Sequence, residues 1–195
     1  MAPKTLPKVL SREDAEKILK SINLDNKTGY RNRAMLQLMY CAGLRVSEVA
    51  NLAPADVDLK KGFIYVQLGK GSKDRFVPLD PKTVEILGKW MKLRPIDSAW
   101  LFPTLKGTRL DVRYIREMVY RLSDKAGVYL QNGRDRVRVH PHTFRHCFAT
   151  ECLEEKFSVK EVQELLGHSS IQTTSRYLSV RPAVLAEKMQ GRSGV

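Results

Sequence analysis

Four short clusters carry side chains that could act together on a phosphate diester. Arg45 and Glu48 lie in CAGLRVSEVANL, Lys70 and Lys73 in LGKGSKDRFVPL, His142 and Arg145 in HPHTFRHCFAT, and His168 and Tyr177 in LLGHSSIQTTSRYLSV. Guanidinium grips two non-bridging oxygens at once, and imidazole or ammonium can move a proton. His142 and Arg145 stand three apart and so share a helix face. They follow Pro141, near a helix N-terminus, where backbone N–H groups and the helix dipole favour an anion. His146 comes directly after Arg145, points about 100° away around the helix, and reads as structural.

Each cluster alone also has an ordinary reading. An Arg and a Glu three apart are usually a solvated helix pair. A lysine in a hairpin turn usually serves solubility, and His-x-x-Arg on a helix is more often structural than catalytic. Tyr177 is one of seven tyrosines and could be a half-buried packing residue. Asp56 and Asp58 form a lone D-x-D that reads as loop chemistry, because no third carboxylate cluster completes a metal site. No G-x-x-x-x-G-K-[ST] occurs, and the Gly-Lys-Gly at 69–71 is not a phosphate-cradling loop of that kind.

The elements that must position these clusters are mostly helical. Ser11 is an N-cap ahead of Ala15, Ile18, Leu19 and Ile22 at helical spacing. A second helix is predicted over about 30–41, with Ala34, Met35, Leu38 and Met39 on one face. After an interruption at Gly43, Val46, Val49 and Leu52 mark a short third helix. Residues 63–68 and 75–79 read as a β-hairpin with a basic turn at 69–74. Asp80 and Pro81 open a helix through Leu87, Trp90 and Met91. A short extended stretch at 100–102 precedes a helix over 111–126, set by Val112, Ile115, Val119 and Leu122. Residues 127–139 read as a loop or short ribbon, with Arg134, Arg136 and Arg138 on alternate positions. Pro141 starts a helix through Phe144, Phe148 and Leu153, and Ser158 with Glu161 is a capping box for another ending at Gly167. A short helix over 170–178 and a last one from Pro182, apolar at Val184, Leu185 and Met189, complete the chain. The predicted class is mainly α with a small antiparallel β-sheet, that is, α+β.

The chain has 195 residues, enough for one domain and a core that buries roughly 70% of the unfolded surface without a disulfide or metal staple. Hydrophobic residues are 43% and charged residues 28%, which argues against general disorder. No apolar run approaches the roughly 18 residues of a membrane span, and the first ten residues show no secretory h-region. Cys41, Cys147 and Cys152 are odd in number and form no CxxC, so neither a disulfide framework nor a zinc site is expected, and a reducing cytoplasm fits. Lys+Arg number 34 and Asp+Glu 21, a net charge of +13, which points to a polyanionic partner, nucleic acid first. Residues 106–145 hold ten Lys/Arg against four Asp/Glu, a net +6, and mark a DNA-facing surface.

Together and in order, the clusters resemble the tyrosine recombinase (phage integrase-like) family, most closely its Xer-like members. The family pattern is an Arg after Gly-Leu at a helix start, a Lys in a Gly-Lys-Gly hairpin, His-x-x-Arg-His, then Leu-Gly-His, and a Tyr nine residues later. Every element is present here, between about residues 6 and 186. The resemblance implies a tyrosine recombinase-like catalytic domain, with Arg45 and Arg145 binding the scissile phosphate and Lys70 protonating the departing 5′ oxygen. It implies His142 as general acid/base, His168 as a second histidine on the phosphate, Tyr177 as nucleophile and Glu48 as an acidic support. Lys73 is a second candidate for the lysine. With Arg75, Arg134, Arg136 and Arg138 it is also a candidate DNA-binding residue. Only about 0.1% of a tyrosine with the reference pKa near 10 is ionised at pH 7. Attack by Tyr177 therefore needs a base and charge stabilisation, which two arginines offer without a metal. The link formed is a 3′-phosphotyrosine, reversible by a 5′-hydroxyl with no metal, ATP or other cofactor.

The implied organisation is a linker or tail at 1–10, a catalytic domain at 11–181 and a C-terminal helix or tail at 182–195. That tail either docks on a neighbouring subunit or packs back on its own domain. Family members usually carry an N-terminal domain of up to about a hundred residues. Here the catalytic pattern begins within the first ten residues, as in an excised catalytic domain or a naturally short protein. Double-stranded DNA is the expected partner, with a monomer in solution and a four-subunit synapse on DNA. Two other readings share these residues: a type IB topoisomerase-like enzyme that relaxes supercoils, and a DNA-binding module without catalysis.

Overall fold

The computed structural model describes residues 10–67, 74–95, 97–132 and 135–167. Among these residues the α-helices are α1 (Arg12–Lys20), α2 (Lys27–Cys41), α3 (Val46–Asn51), α4 (Pro81–Leu93), α5 (Val112–Ala126), α6 (Pro141–Glu154) and α7 (Val159–Leu166). The strands are β1 (Val57–Asp58), β2 (Phe63–Val66), β3 (Arg75–Pro78), β4 (Tyr129–Asn132) and β5 (Asp135–Arg138). One antiparallel sheet runs β1-β2-β3, and β4 and β5 form a separate antiparallel ribbon. In the first sheet Val66 pairs with Arg75 and Phe63 with Pro78. The α+β class read from the sequence is the observed one.

Local chemistry sets the helix starts. The side chains of Ser11, Asp80, Asp111 and Ser158 each accept a backbone N–H from the first turn of α1, α4, α5 and α7. Helix α2 begins at Lys27, three residues before the predicted start, because Asn26 caps it by accepting from the Gly29 N–H at 2.8 Å. Gly167, at φ 62°, ends α7 in the left-handed conformation.

Helix α2 is the axis of the core. Ala34, Met35, Leu36, Leu38 and Met39 are all fully buried, and α1, α3, α4 and α6 pack around the helix. A helix enclosed on nearly all sides must satisfy its polar groups internally. Arg31 donates to the Pro103 carbonyl at 2.8 Å and the Tyr114 hydroxyl at 2.9 Å, and Arg33 donates to the Leu19 carbonyl at 2.8 Å. A smaller cluster of Ala149, Cys152, Val162 and Leu166 joins α6 to α7.

Two expectations change, and one open alternative is resolved. The stretch at 100–102 is irregular rather than extended, pinned where Leu101 donates its N–H to the Leu52 carbonyl at 2.7 Å and receives the Trp90 indole N–H at 2.8 Å. The hairpin gains β1 as a third strand. The segment at 127–139 is a ribbon, closed at its base by the buried Ser123 hydroxyl, which donates to the Val128 carbonyl and accepts the Val139 N–H at 3.2 Å. The turn at 69–74 up to Lys73, and the helices expected at 170–178 and from Pro182, lie outside the described residues.

Candidate active site

The site is built around Glu48. This residue stands in the first turn of α3, where its carboxylate accepts the Arg45 backbone N–H at 2.7 Å and so caps the helix. The same carboxylate holds the Arg45 side chain, Nη1 to Oε1 at 2.8 Å. From β3 Arg75 reaches it with both terminal nitrogens, Nη1 to Oε1 at 3.1 Å and Nη2 to Oε2 at 3.0 Å. From α6 the Arg145 Nη1 lies 3.8 Å from Oε2. Among the described residues, three guanidinium groups thus share this one carboxylate. The Glu48 side chain is 4% exposed, and burial alone would raise its carboxyl. The hydrogen bonds and charge of Arg75, the Arg45 N–H and the charge of Arg145 outweigh burial, so the carboxyl lies below its ordinary range.

The same three arginines meet the C-terminal end of α7. Arg75 Nε donates to the Leu165 carbonyl at 2.8 Å, Arg145 Nη2 to the Leu166 carbonyl at 2.6 Å, and Arg45 Nη2 to the Gly167 carbonyl at 3.5 Å. These carbonyls have no partner within the helix and carry the negative end of its dipole, so cations belong there. Arg145 also donates to the Gly43 carbonyl at 2.5 Å. Gly43 has φ 62°, and a Cβ on it would run into the Phe148 ring. The two motif arginines differ in access: the Arg45 side chain is 31% exposed and that of Arg145 only 4%. Arg145 lies in the floor of the site and Arg45 at its surface.

His142 is exposed in the first turn of α6. Its imidazole lies below the ordinary histidine range, through partial burial and then through the charges of Arg145, Arg116 and Arg45. It is therefore neutral at pH 7 and able to accept a proton. His146, expected to be structural, is half-buried, and burial lowers it too. Arg116, an exposed α5 residue, is a cation near the site that motif spacing did not single out. Its only sequence signal is its place in the basic stretch at 106–145.

Arg75, a candidate DNA-binding residue, is 8% exposed and bound to Glu48 and Leu165. Arg136 and Arg138 are exposed on the ribbon. Arg136 stacks over Tyr129, whereas Arg138 stacks over Tyr120 and pairs with Asp124 at 3.2 Å. Asp56 and Asp58 accept the Ala53 and Lys61 N–H groups at 2.7 and 2.9 Å, as loop residues do. Lys70, Lys73, Arg134, His168 and Tyr177 lie outside the described residues.

Known proteins resemble this chain in sequence and fold. The sequence profile of the phage integrase family matches residues 8–183. The chain is 41% identical over 181 residues to tyrosine recombinase XerA of Thermococcus onnurineus, covering 91% of this chain and 60% of that protein. It is 40% identical over 176 residues to tyrosine recombinase XerC of Proteus mirabilis, covering 88% of this chain and 54% of that protein. The chain therefore spans between half and two thirds of the length of these relatives. The crystal structure of XerA recombinase superposes with a TM-score of 0.82 at 32% identity, over 99% of this chain and 68% of that one. XerH site-specific recombinase bound to its palindromic difH substrate in a post-cleavage complex gives 0.78 at 31% identity, over 95% of this chain and 53% of that one. With the ordered motifs, the helical fold and a match along most of its length, the chain belongs to the phage integrase family.

Proposed function

We propose that this chain is the catalytic part of a site-specific DNA recombinase that cleaves and rejoins DNA strands through a 3′-phosphotyrosyl intermediate. The observation that carries the reading is the convergence at Glu48 of Arg45, Arg75 and Arg145, with His142 close enough to feel the charges of two of them. Guanidinium groups gathered in this way can grip the non-bridging oxygens of a phosphodiester. Relatives carrying the tyrosine recombinase name, and a XerH structure holding cleaved substrate, support the same reading.

In this reaction the Tyr177 hydroxyl oxygen attacks phosphorus while the bond from phosphorus to the 5′ oxygen breaks. His142 takes the tyrosine proton, and Lys70 gives a proton to the departing oxygen. Arg45, Arg145 and His168 hold the non-bridging oxygens as charge builds on them. One phosphoester bond is exchanged for another, so a 5′-hydroxyl reverses the step without ATP or metal. The catalytic unit is residues 11–181, with 182–195 coupling subunits in a four-membered synapse on double-stranded DNA and the protein monomeric without it. The cytoplasm, where DNA is reached directly, is the compartment this activity requires.

The test is strand transfer. A labelled duplex with a candidate site is incubated with an incoming strand bearing a free 5′-hydroxyl, in EDTA and without ATP. A new ligated strand is expected. Cleavage that requires metal or ATP, or no transfer at any protein concentration, would overturn the proposal.

A further inference from the structure

Arg75 is a buried arginine that joins β3 to the start of α3 and the end of α7. It is the first residue of β3 and pairs with Val66, the last residue of β2. Both of its terminal nitrogens engage Glu48, one on each carboxylate oxygen, at 3.1 and 3.0 Å. Its Nε donates to the Leu165 carbonyl at the end of α7, at 2.8 Å. This fork fixes the carboxylate plane in a way that a single donor cannot. The same two oxygens hold Arg45, Oε2 accepting its backbone N–H and Oε1 its guanidinium. Room for the Arg75 side chain depends on Gly167, where a Cβ would come 2.8 Å from Arg75 Nη1.

We propose that Arg75 is a positioning residue, which orients Glu48 by its two-pronged contact and through Glu48 sets the attitude of Arg45 toward the reactive phosphate. It touches no substrate itself. The inference rests on the strand-cleavage reading for its catalytic consequence, but not for the geometric one.

A double-mutant cycle tests it. Arg75→Lys keeps the charge and loses the fork. Single-turnover cleavage is measured for the starting protein, Arg75→Lys, Arg45→Ala and the double variant, on a substrate with a 5′-thiolate leaving group so that the lysine's proton is not needed. Displacing a catalytic group by about 1 Å can cost 10²-fold, so Arg75→Lys is expected to slow cleavage by about 10–100-fold. DNA affinity is expected to stay within about threefold. In the Arg45→Ala background the same change should cost less than about threefold, because the group it positions is gone. Hydrogen exchange at the Arg45 N–H, which Glu48 accepts, should accelerate in Arg75→Lys. Equal losses in both backgrounds, or an Arg45 N–H exchanging as before, would overturn the proposal. If the starting protein cleaves no substrate, the cleavage reading fails by itself and the exchange measurement still decides the role of Arg75. Should Arg75→Lys not fold, Arg75→Gln, whose planar amide can still donate to Glu48, takes its place.

Discussion

Glu48 is the residue on which the site's electrostatics turn. A carboxylate buried among three guanidiniums is stabilised in its charged form, and removing it strands those charges. Glu48→Ala is expected to lower stability by about 3–5 kcal/mol, the usual cost of breaking a buried ion pair from one side, measurable by denaturant unfolding. Its pH signature follows from linkage. The folded carboxyl titrates below the unfolded one, so its stabilisation is complete above about pH 4.3 and is lost as pH falls through the folded pKa. Glu48→Gln should remove that part of the acid-side slope. His142 acts in the same direction at higher pH: its folded pKa lies below the ordinary value near 6.5, so the unfolded chain binds the extra proton first and acidification destabilises the fold. In the proposed mechanism neutral His142 is the form that accepts the tyrosine proton, so the rate should fall as pH drops through its lowered pKa. His142→Gln should lower the rate and abolish that acid limb in a pH–rate profile. Loss of the Arg45 side chain should cut cleavage by about 10²–10³, the effect of removing one preorganised oxyanion donor.

At the scale of elements, each site residue sits at an end: the start of α3, the start of β3, the first turns of α6 and the last carbonyls of α7. The ends are therefore where mutations reach function. Asp80, which accepts the Lys82 and Thr83 N–H groups at 3.0 Å, caps the helix that packs on α2. Asp80→Ala should cost about 0.5–2 kcal/mol in thermal unfolding while sparing the site. Most of these elements were legible in the sequence because their signals are local. Ser11, Asp80, Asp111 and Ser158 announce helix starts by residue type, and Gly167 announces a stop. The start of α2 was misplaced because Lys27, Thr28 and Gly29 carry no apolar periodicity and only the Asn26 cap marks it. Site membership was legible for Arg45, Glu48, His142 and Arg145 as motif positions. It was not legible for Arg75, since nothing local shows that a strand residue turns inward to meet a carboxylate 27 positions earlier in the chain. Nor do the carbonyls of Leu165 and Leu166 have any side-chain signature, although they hold two of the arginines in place.

For the molecule as a whole, a net charge of +13 is the property that would draw the proposed DNA partner to the site. Binding should weaken steeply with salt, in proportion to the phosphates contacted. Arg136, exposed on the β4–β5 ribbon, is a candidate for the proposed DNA contact. Arg136→Ala should weaken binding evenly across DNA sequences and lower the salt slope by about one, read from titrations at several salt concentrations. Deleting 182–195 should impair strand exchange more than single-strand cleavage if that segment couples subunits. Beneath all of these lies one claim, that the arginine hub serves a tyrosine nucleophile. Its most direct measurement is a nicked suicide duplex incubated with the chain in EDTA, followed by denaturing electrophoresis and mass spectrometry of the protein–DNA adduct. A covalent complex joined through a 3′-phosphate to Tyr177 is predicted, absent in Tyr177→Phe although that variant still binds the duplex. An adduct that persists in Tyr177→Phe, or one mapped to another residue, would contradict the account.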